Sequence, residues 1–296
     1  MDCNREQAPA KLNLFLHIIG RRSDGYHLLQ SVVIFVDLAD QLTIDDGGGL
    51  SVDGAFAHSL GGDHRNNLVL KAADAAASVF HRKLPLGWRL TKNIPIQAGL
   101  GGGSADAAAC LRLLARYWQI DITHPHWQQL ATELGADVPM CLASQPAFIE
   151  GVGEEITPLL LEQEWHVVLI WPGKGLSTPA IFAQYCAHKE KMLAPYTPPI
   201  TLPPLKTRED FLLWLHTTQN DLTPAAMAIF PFMTEILTAL QQAVGCYFAR
   251  MSGSGSACFG LFSSPATAEA AAQLLQKHFP TYFVQAASSR RNLFMQ

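Results

Sequence analysis

Residues 92–114, "KNIPIQAGLGGGSADAAACLRLL", place four glycines within positions 99–103, immediately before an alanine- and leucine-rich run with helical spacing. Glycine permits positive φ and lets the backbone approach a ligand closely. The first turn of a helix leaves N–H groups unpaired and carries the positive end of the helix dipole. The combination is typical of an anion site, most often for phosphate, and the Ser104 hydroxyl adds a ligand for phosphate oxygen or a metal ion.

This stretch matches neither of two common phosphate loops. A P-loop requires a lysine and a Ser or Thr after its last glycine, and no lysine follows these glycines. A dinucleotide-binding loop requires GxGxxG, but Ser104 stands where the last glycine belongs. A tight glycine-rich turn is the alternative, although four glycines ahead of a strong helix favour phosphate binding.

A second glycine-rich segment, "MSGSGSACFG" at residues 251–260, predicts a turn between two strands. It is not a nucleophile elbow, because no serine in it has glycines at both required offsets. Two loops of small residues in one chain suit a ligand that is held from both sides.

Composition narrows the class of protein. The 296 residues, 49% hydrophobic and 16% charged, indicate a compact protein of about two domains. A formal net charge of −4 provides no global basic field for nucleic acid or an anionic membrane. No apolar run reaches the roughly 18 to 20 residues of a membrane helix, and the polar N-terminus is not typical of a signal peptide. The six cysteines form no CxxC pair, which favours free thiols in a reducing cytoplasm.

Hydrophobic periodicity predicts a mixed fold. Residues 10–17 alternate, which predicts a strand with one buried face and with Lys11 and Asn13 on the polar face. Residues 186–208 are rich in proline, Lys and Glu and predict an exposed, mobile excursion. Helical spacing marks residues 66–84, 104–118, 125–135, 208–217, 233–244 and 265–279. Strands and helices mix throughout, so the expected class is α+β, with a domain boundary near residues 155–165.

The segments "PAKLNL", "GLGGGSADAA" and "SGSGSACFG" resemble the three motifs of the GHMP small-molecule kinases. "DGYHLLQS" at 24–31 and "LGADVPMCL" at 134–142 resemble one branch of that family, and further matches follow in order along nearly the whole chain. One departure is Gln97-Ala98, where the family often carries more glycine. The resemblance implies a two-domain GHMP kinase fold with the active site in the cleft between the domains, the first over residues 1–158 and the second over 159–296.

This resemblance also implies a reaction. The branch transfers phosphate from ATP, with Mg²⁺, to the 2-hydroxyl of 4-diphosphocytidyl-2-C-methyl-D-erythritol in the non-mevalonate route to isoprenoid precursors. The expected partner is this small molecule, with no nucleic acid and no membrane. The expected location is the cytoplasm, and the choice between monomer and homodimer stays open.

The resemblance assigns roles to particular residues. Asp137 would be the general base and Lys11 its partner. Tyr26, His27 and Phe182 would hold the cytidine, helped by the other two substrate-side residues, Asn13 and Thr178. ATP would contact Asn67 and Lys92 on the adenine side, and Pro95, Ile96, Gln97, Ala98, Gly99, Leu100, Gly101, Gly102, Gly103, Ser104 and Ala105 along the loop.

Each of these roles has a structural alternative. Asp137 follows a helix stop and precedes "VPM", so it could simply cap the next helix. A lone lysine such as Lys11 is usually a solvated surface residue. An aromatic residue and a histidine after a turn, as at Tyr26 and His27, usually serve packing and surface.

Three other functions also stay open. They are a GHMP kinase for homoserine, mevalonate or a sugar, a nucleotide-binding regulatory protein without turnover, and an NAD-dependent dehydrogenase. "DGYH" and Phe182 argue against the first. The presence of both Lys11 and Asp137 argues against the second, and the missing last glycine argues against the third.

Overall fold

The computed structural model describes residues 4–61, 64–161, 164–192, 195–203 and 207–290. Contacts within the chain divide it into two compact units. Unit 1 comprises Met1–Lys11, Leu38–Ile96 and Gly101–Ser144, and unit 2 comprises Leu12–Asp37, Gln97–Leu100 and Gln145–Gln296. No helix in the described part of the chain combines the length and apolarity that a membrane span requires.

The strands are β1 (Arg5–Asn13), β2 (His17–Arg21), β3 (His27–Asp45), β4 (Gly49–Asp53), β5 (Gly87–Thr91), β6 (Ala147–Gly151), β7 (Glu155–Pro158), β8 (His166–Trp171), β9 (Cys246–Met251), β10 (Cys258–Phe262) and β11 (Phe283–Ser288). The helices are α1 (Leu68–Phe80), α2 (Gly102–Tyr117), α3 (Pro125–Leu134), α4 (Val138–Ala143), α5 (Thr178–Met192), α6 (Arg208–His216), α7 (Thr223–Ile229), α8 (Met233–Gln242) and α9 (Pro265–His278). A short 3-10 helix covers Ala57–Leu60.

Unit 1 is built around α2. This helix packs against α1 and α4, and its inward face is made of small residues and leucines. Strand β5 pairs antiparallel with the last part of β3 and parallel with β4. Helix α1 begins after Asn67, whose side chain accepts a hydrogen bond from the Val69 N–H at 2.9 Å. This bond satisfies a backbone donor that the first turn would otherwise leave unpaired.

Unit 2 contains a four-stranded antiparallel sheet in the order β11-β8-β10-β9. Helices α8 and α9 pack against it, and their apolar faces join strand residues such as Val168 and Phe262 in one buried core. The predicted strand, glycine turn and strand around residues 251–260 is confirmed, because β9 and β10 pair with Met251 opposite Cys258.

The predicted polar face of the first strand is wrong. Lys11 and Asn13 are each only 5% exposed, and Phe15 and His17 on the same face are also buried. The strand is therefore covered on both faces. The apolar residues of the alternating pattern are buried on one face and the polar residues on the other. Lys11 and Asn13 each face polar partners inside the protein.

Two helices are absent from the sequence prediction. Helix α5 occupies Thr178–Met192 and so includes the first part of the predicted excursion at 186–208. Helix α7 occupies Thr223–Ile229. Both begin with a proline in the first turn, a position where proline fits a helix but reads as a loop in isolation. Residues 195–203 have no helix or strand, and residues 193, 194 and 204–206 lie outside the described residues.

Candidate active site

Lys11 and Asp137 form an ion pair in unit 1. Lys11 Nζ lies 3.5 Å from Asp137 Oδ2, with the lysine side chain 6% exposed and the aspartate side chain 40% exposed. Strand β1 supplies the lysine, and Asp137 stands immediately before α4. A buried ammonium thus holds a carboxylate that solvent and a ligand can reach.

Asp137 does not cap α4 with its side chain. The residue occupies the N-cap position, but its backbone is already in the right-handed helical region, with φ −85° and ψ −12°, and its carboxylate makes no capping hydrogen bond. N-cap residues that use their side chains normally have extended backbone. The Asp137 carboxylate is therefore not used as a helix cap, which was the structural alternative for this residue.

The backbone of the glycine loop packs against the side chain of Lys11 at Gly101. Its φ is +68°, in the left-handed region, and it is the N-cap residue of α2. A Cβ at this position would lie 2.7 Å from Lys11 Cγ, closer than real Cβ contacts allow. Only glycine lets the lysine stem pass against the start of this helix while the backbone takes that turn.

The N-terminus of α2 carries no side-chain cap. Its N-cap residue, Gly101, has no side chain that could accept a hydrogen bond from the first turn, and no acidic residue lies in that turn. The intrahelical pattern begins with the Ala105 N–H, which donates to Gly101 O at 2.9 Å. The N–H groups that precede Ala105 lie at the positive end of the helix dipole, where an anion could bind, and Ser104 lies in the same turn.

In unit 2, residues 97–100 contact the second glycine segment. Ser252 Oγ donates to Gly99 O at 2.9 Å, and the Ala257 N–H donates to Ala98 O at 2.9 Å. Gly99 has φ +77°, and a Cβ there would lie 2.3 Å from Ser252 O. The two glycine-rich segments therefore pack backbone to backbone.

The departure at Gln97 has a structural consequence. Gln97 has φ +54°, a left-handed conformation that costs a residue with a Cβ roughly 1 to 2 kcal/mol. Its carbonyl accepts a hydrogen bond from the Leu176 N–H at 3.1 Å. Gln97 thus takes, with strain, the left-handed conformation that glycine would adopt without it.

Lys92 is buried among carboxylates. It is 3% exposed, and its ammonium binds Asp40 and, at 2.6 Å, Asp106 Oδ2. Burial alone would lower the pKa of Lys92, but Asp106 and Asp40 outweigh this effect and raise it. Burial raises the pKa of Asp106 to about 7, against the opposing effect of Lys92. A contact of Lys92 with adenine would therefore have to come from atoms other than its ammonium.

Sequence reasoning missed Asp40 and Asp106. Both interrupt apolar runs, "FVDLADQLTI" and "SADAAACLRLL", at positions that should be buried. An acidic residue at a buried position needs a partner, and that signal could have led to Lys92.

The predicted cytidine residues lie in unit 2, and three aromatic rings meet there. The His27 and Phe182 rings stack at 4.9 Å with an interplanar angle of 27°, and Tyr185 meets His27 edge-on at 6.1 Å. Cys186 Sγ lies 3.3 Å from His27 Nε2. Burial, followed by the nearby Arg21, lowers the pKa of His27, which favours the neutral imidazole. Tyr26 is 64% exposed.

The other two substrate-side residues also have polar partners in unit 2. Asn13 Nδ2 donates to Ser31 Oγ at 2.9 Å, and the Thr178 and Ser254 hydroxyls are 2.8 Å apart. Thr178 begins α5, one turn before Phe182. In the described part of the chain, no group of three or more His, Cys, Asp or Glu side chains is placed to hold a metal ion.

Known proteins match this chain over most of its length. The profile of the GHMP kinases N terminal domain matches residues 67–145, and that of the GHMP kinases C terminal matches residues 205–281. A protein of Paracoccus denitrificans (strain Pd 1222) named 4-diphosphocytidyl-2-C-methyl-D-erythritol kinase is 44% identical, with 96% of each chain covered. One of Chelativorans sp. (strain BNC1) with the same name is 40% identical, covering 97% of this chain and 96% of the relative.

Two solved structures resemble this chain, one at 32% sequence identity and one at 17%. A crystal structure of 4-(cytidine 5'-diphospho)-2C-methyl-D-erythritol kinase has a TM-score of 0.76 at 32% identity, covering 97% of this chain and all of the other. Homoserine kinase from Cytophaga hutchinsonii has a TM-score of 0.68 at 17% identity, covering 98% of this chain and 95% of the other, which shows the fold alone.

The chain therefore belongs to the GHMP kinases, in the family of 4-diphosphocytidyl-2-C-methyl-D-erythritol kinases. It is a small-molecule kinase, and the predicted α+β GHMP kinase fold is confirmed. The boundary predicted between residues 158 and 159 falls in the stretch that neither profile covers and stays a prediction.

The two loop glycines Gly99 and Gly103 should respond oppositely to alanine. In Gly99→Ala, the new Cβ would clash with Ser252 O, and alanine would have to keep the positive φ of Gly99. We therefore expect the free energy of unfolding to fall by roughly 2 to 4 kcal/mol. Gly103 lies in α2, and its Cβ would meet only Leu68 Cδ1 at 3.7 Å. Gly103→Ala should leave stability unchanged or raise it by about 0.5 to 1 kcal/mol through helix propensity.

Urea unfolding of the wild type and both variants measures this difference. Equal stability of the Gly99→Ala and Gly103→Ala variants would contradict the close backbone packing at Gly99.

Proposed function

We propose that this kinase transfers the γ-phosphoryl group of ATP to the 2-hydroxyl of 4-diphosphocytidyl-2-C-methyl-D-erythritol. The observation that carries the proposal is the Lys11–Asp137 pair, held against Gly101 at the uncapped N-terminus of α2. This arrangement puts an accessible carboxylate beside a site suited to phosphate. The names of relatives that are 40% and 44% identical supply the substrate.

ATP would bind with its phosphates at the N–H groups that open α2. These groups belong to Gly102, Gly103 and Ser104, and they carry partial positive charge from the helix dipole. Residues 95–101 would wrap the remaining phosphates with backbone. Asn67 would lie on the adenine side, where its side chain already caps α1.

Asp137 would act as the general base. Its carboxylate accepts the proton of the substrate hydroxyl as the hydroxyl oxygen bonds to the γ-phosphorus, and the bond from that phosphorus to the β-phosphate oxygen breaks, releasing ADP. Lys11 holds the carboxylate in place and adds positive charge near the transferring group. Because the transition state of phosphoryl transfer is loose, most of the catalysis is positioning and charge stabilisation.

Mg²⁺ would arrive with the nucleotide, since the described residues form no dedicated cage. The Ser104 hydroxyl, in the first turn of α2, is a candidate ligand for this ion or for a phosphate oxygen. When bound, the ion would neutralise charge on the β- and γ-phosphates.

The cytidine would be held in unit 2. Stacking of a base on aromatic rings is worth about 1 to 3 kcal/mol per base, and the exposed Tyr26 ring, next in sequence to the stacked His27, suits this role. A neutral His27 has one donor and one acceptor for the edge of the base. Asn13 and Thr178 would orient the rest of the substrate.

The buried free thiols Cys110, Cys141 and Cys258 support a reducing, cytoplasmic setting.

Asp137→Asn should abolish most turnover while ATP still binds. The variant removes the proton acceptor but keeps the shape of the side chain, so we expect kcat to fall by about 100-fold or more. ADP release measures turnover, and calorimetry measures nucleotide affinity. Asp121→Asn is the matched control, because the Asp121 carboxylate lies at an exposed turn, where it accepts from the N–H and the hydroxyl of Thr123, and this variant should keep wild-type turnover. Wild-type turnover of Asp137→Asn would remove this residue from the mechanism.

The choice of alcohol tests the substrate assignment. Purified protein with ATP and Mg²⁺ should release ADP with 4-diphosphocytidyl-2-C-methyl-D-erythritol and not with homoserine, mevalonate or galactose. Release with another alcohol would overturn the cytidine site at Tyr26, His27 and Phe182 while leaving the ATP loop in place. ATP binding without release on any alcohol would favour a regulatory protein.

A further inference from the structure

Three buried charged side chains lie directly beneath the start of α2, all within unit 1. Asp40 is 0% exposed, and Lys92 and Asp106 are each 3% exposed. The Lys92 ammonium binds both carboxylates. A Cβ on Gly102, the first residue of α2, would lie 3.5 Å from that ammonium. The cluster therefore touches the helix turn that the proposed phosphate site uses.

The cluster holds both ends of the glycine loop. Upstream of the loop, Asp40 Oδ1 accepts from the Asn93 N–H at 2.5 Å and the Ile94 N–H at 2.8 Å. Downstream, Asp106 lies in the second turn of α2. Lys92 binds both carboxylates and so joins the backbone that enters the loop to the helix that leaves it.

The cluster is a poor way to gain stability alone. Burying charged groups carries a large desolvation cost, and apolar residues of similar size often serve a core equally well. Asp106 Oδ1 is buried and has no hydrogen-bond partner among the described residues. The desolvation cost of this acceptor is therefore not offset by a hydrogen bond. We therefore look for the role of this cluster in the geometry that it fixes rather than in stability.

We propose that Asp40, Lys92 and Asp106 form a clamp that fixes the two ends of the phosphate loop and thereby sets the affinity of this kinase for ATP. The inference rests on the proposed function for its ligand. Their charged groups bind one another rather than the transferring phosphate, so in this role all three are positioning residues. Glycine-rich backbone has much conformational freedom to lose on binding, and a loop fixed in advance loses less of it.

Asp106 offers a matched pair of variants. Asn has the shape of Asp and keeps one oxygen to accept from Lys92, with its amide nitrogen at the atom that now has no partner. Leu has a similar volume and accepts nothing. The clamp predicts that Asp106→Asn keeps the ATP KM within about 3-fold of wild type. Asp106→Leu should raise it by roughly 10- to 100-fold, since small misplacements in a site are costly.

The split between kinetic constants separates positioning from general damage. For Asp106→Leu, kcat at saturating ATP should stay within about 5-fold of wild type, because the Lys11–Asp137 pair is untouched. Hydrogen exchange of the nucleotide-free protein should speed up at residues 95–104 in Asp106→Leu and not in Asp106→Asn. Glu6→Gln weakens a different ion pair in unit 1, with Arg112 at 2.9 Å, and should change neither ATP KM nor exchange at 95–104.

Two results would overturn the clamp. One is a folded Asp106→Leu protein with wild-type ATP KM and wild-type exchange at 95–104. The other is an Asp106→Asn protein as impaired as Asp106→Leu, which would show that charge and not placement matters. If Asp106→Leu does not fold, Asp40→Asn replaces it, since one amide oxygen cannot serve both the backbone donors and Lys92.

The exchange measurement also separates this inference from the proposed function. If the wild type fails to phosphorylate any alcohol, faster exchange at 95–104 in Asp106→Leu alone still supports the clamp. Unchanged exchange in that variant would reject the clamp even in an active kinase.

Discussion

The absence of a side chain at Gly101 governs the geometry of the proposed catalytic centre. Because Gly101 takes φ +68° and carries no Cβ, the stem of Lys11 can pass against the start of α2. The lysine then reaches Asp137, which stands before α4. One glycine thus lets a buried cation, an accessible carboxylate and an uncapped helix N-terminus occupy one place in unit 1. Any side chain there would displace Lys11 or unwind the turn.

The remaining loop glycines have separate duties that follow from their surroundings. Gly99 permits close contact with the backbone of Ser252, whereas Gly103 lies in a helix with room for a Cβ. Gln97 shows that the chain can hold a left-handed turn without glycine, at some cost in strain. A count of glycines predicts a phosphate loop, but only the structure assigns what each one does.

The sequence was most informative where local chemistry decides structure. The glycine-rich turn and the helix behind it follow from backbone rules that act within a few residues. It was misleading for Lys11 and Asn13, since burial of both faces of a strand depends on distant segments. Asp40 was missed for a related reason: it interrupts an apolar run, but Lys92, the partner that folding brings to it, is distant in sequence.

Fold and substrate rest on different parts of the chain. Homoserine kinase from Cytophaga hutchinsonii shares the fold at 17% identity, so the fold does not choose the alcohol. We propose that this choice belongs to aromatic side chains in unit 2, where His27 stacks on Phe182 and Tyr26 is exposed. Helix α5, which carries Phe182, was not predicted from sequence because its opening Thr178-Pro179 reads as a loop.

A crystal structure with Mg²⁺, a non-hydrolysable ATP analogue and the cytidyl alcohol would test the central claim most directly. The account predicts the β- and γ-phosphates at the N–H groups of residues 102–104. It also predicts the substrate 2-hydroxyl within hydrogen-bond reach of Asp137, at about 2.6 to 3.2 Å or through one water. A triphosphate bound away from the start of α2, or a hydroxyl out of reach of Asp137, would contradict it.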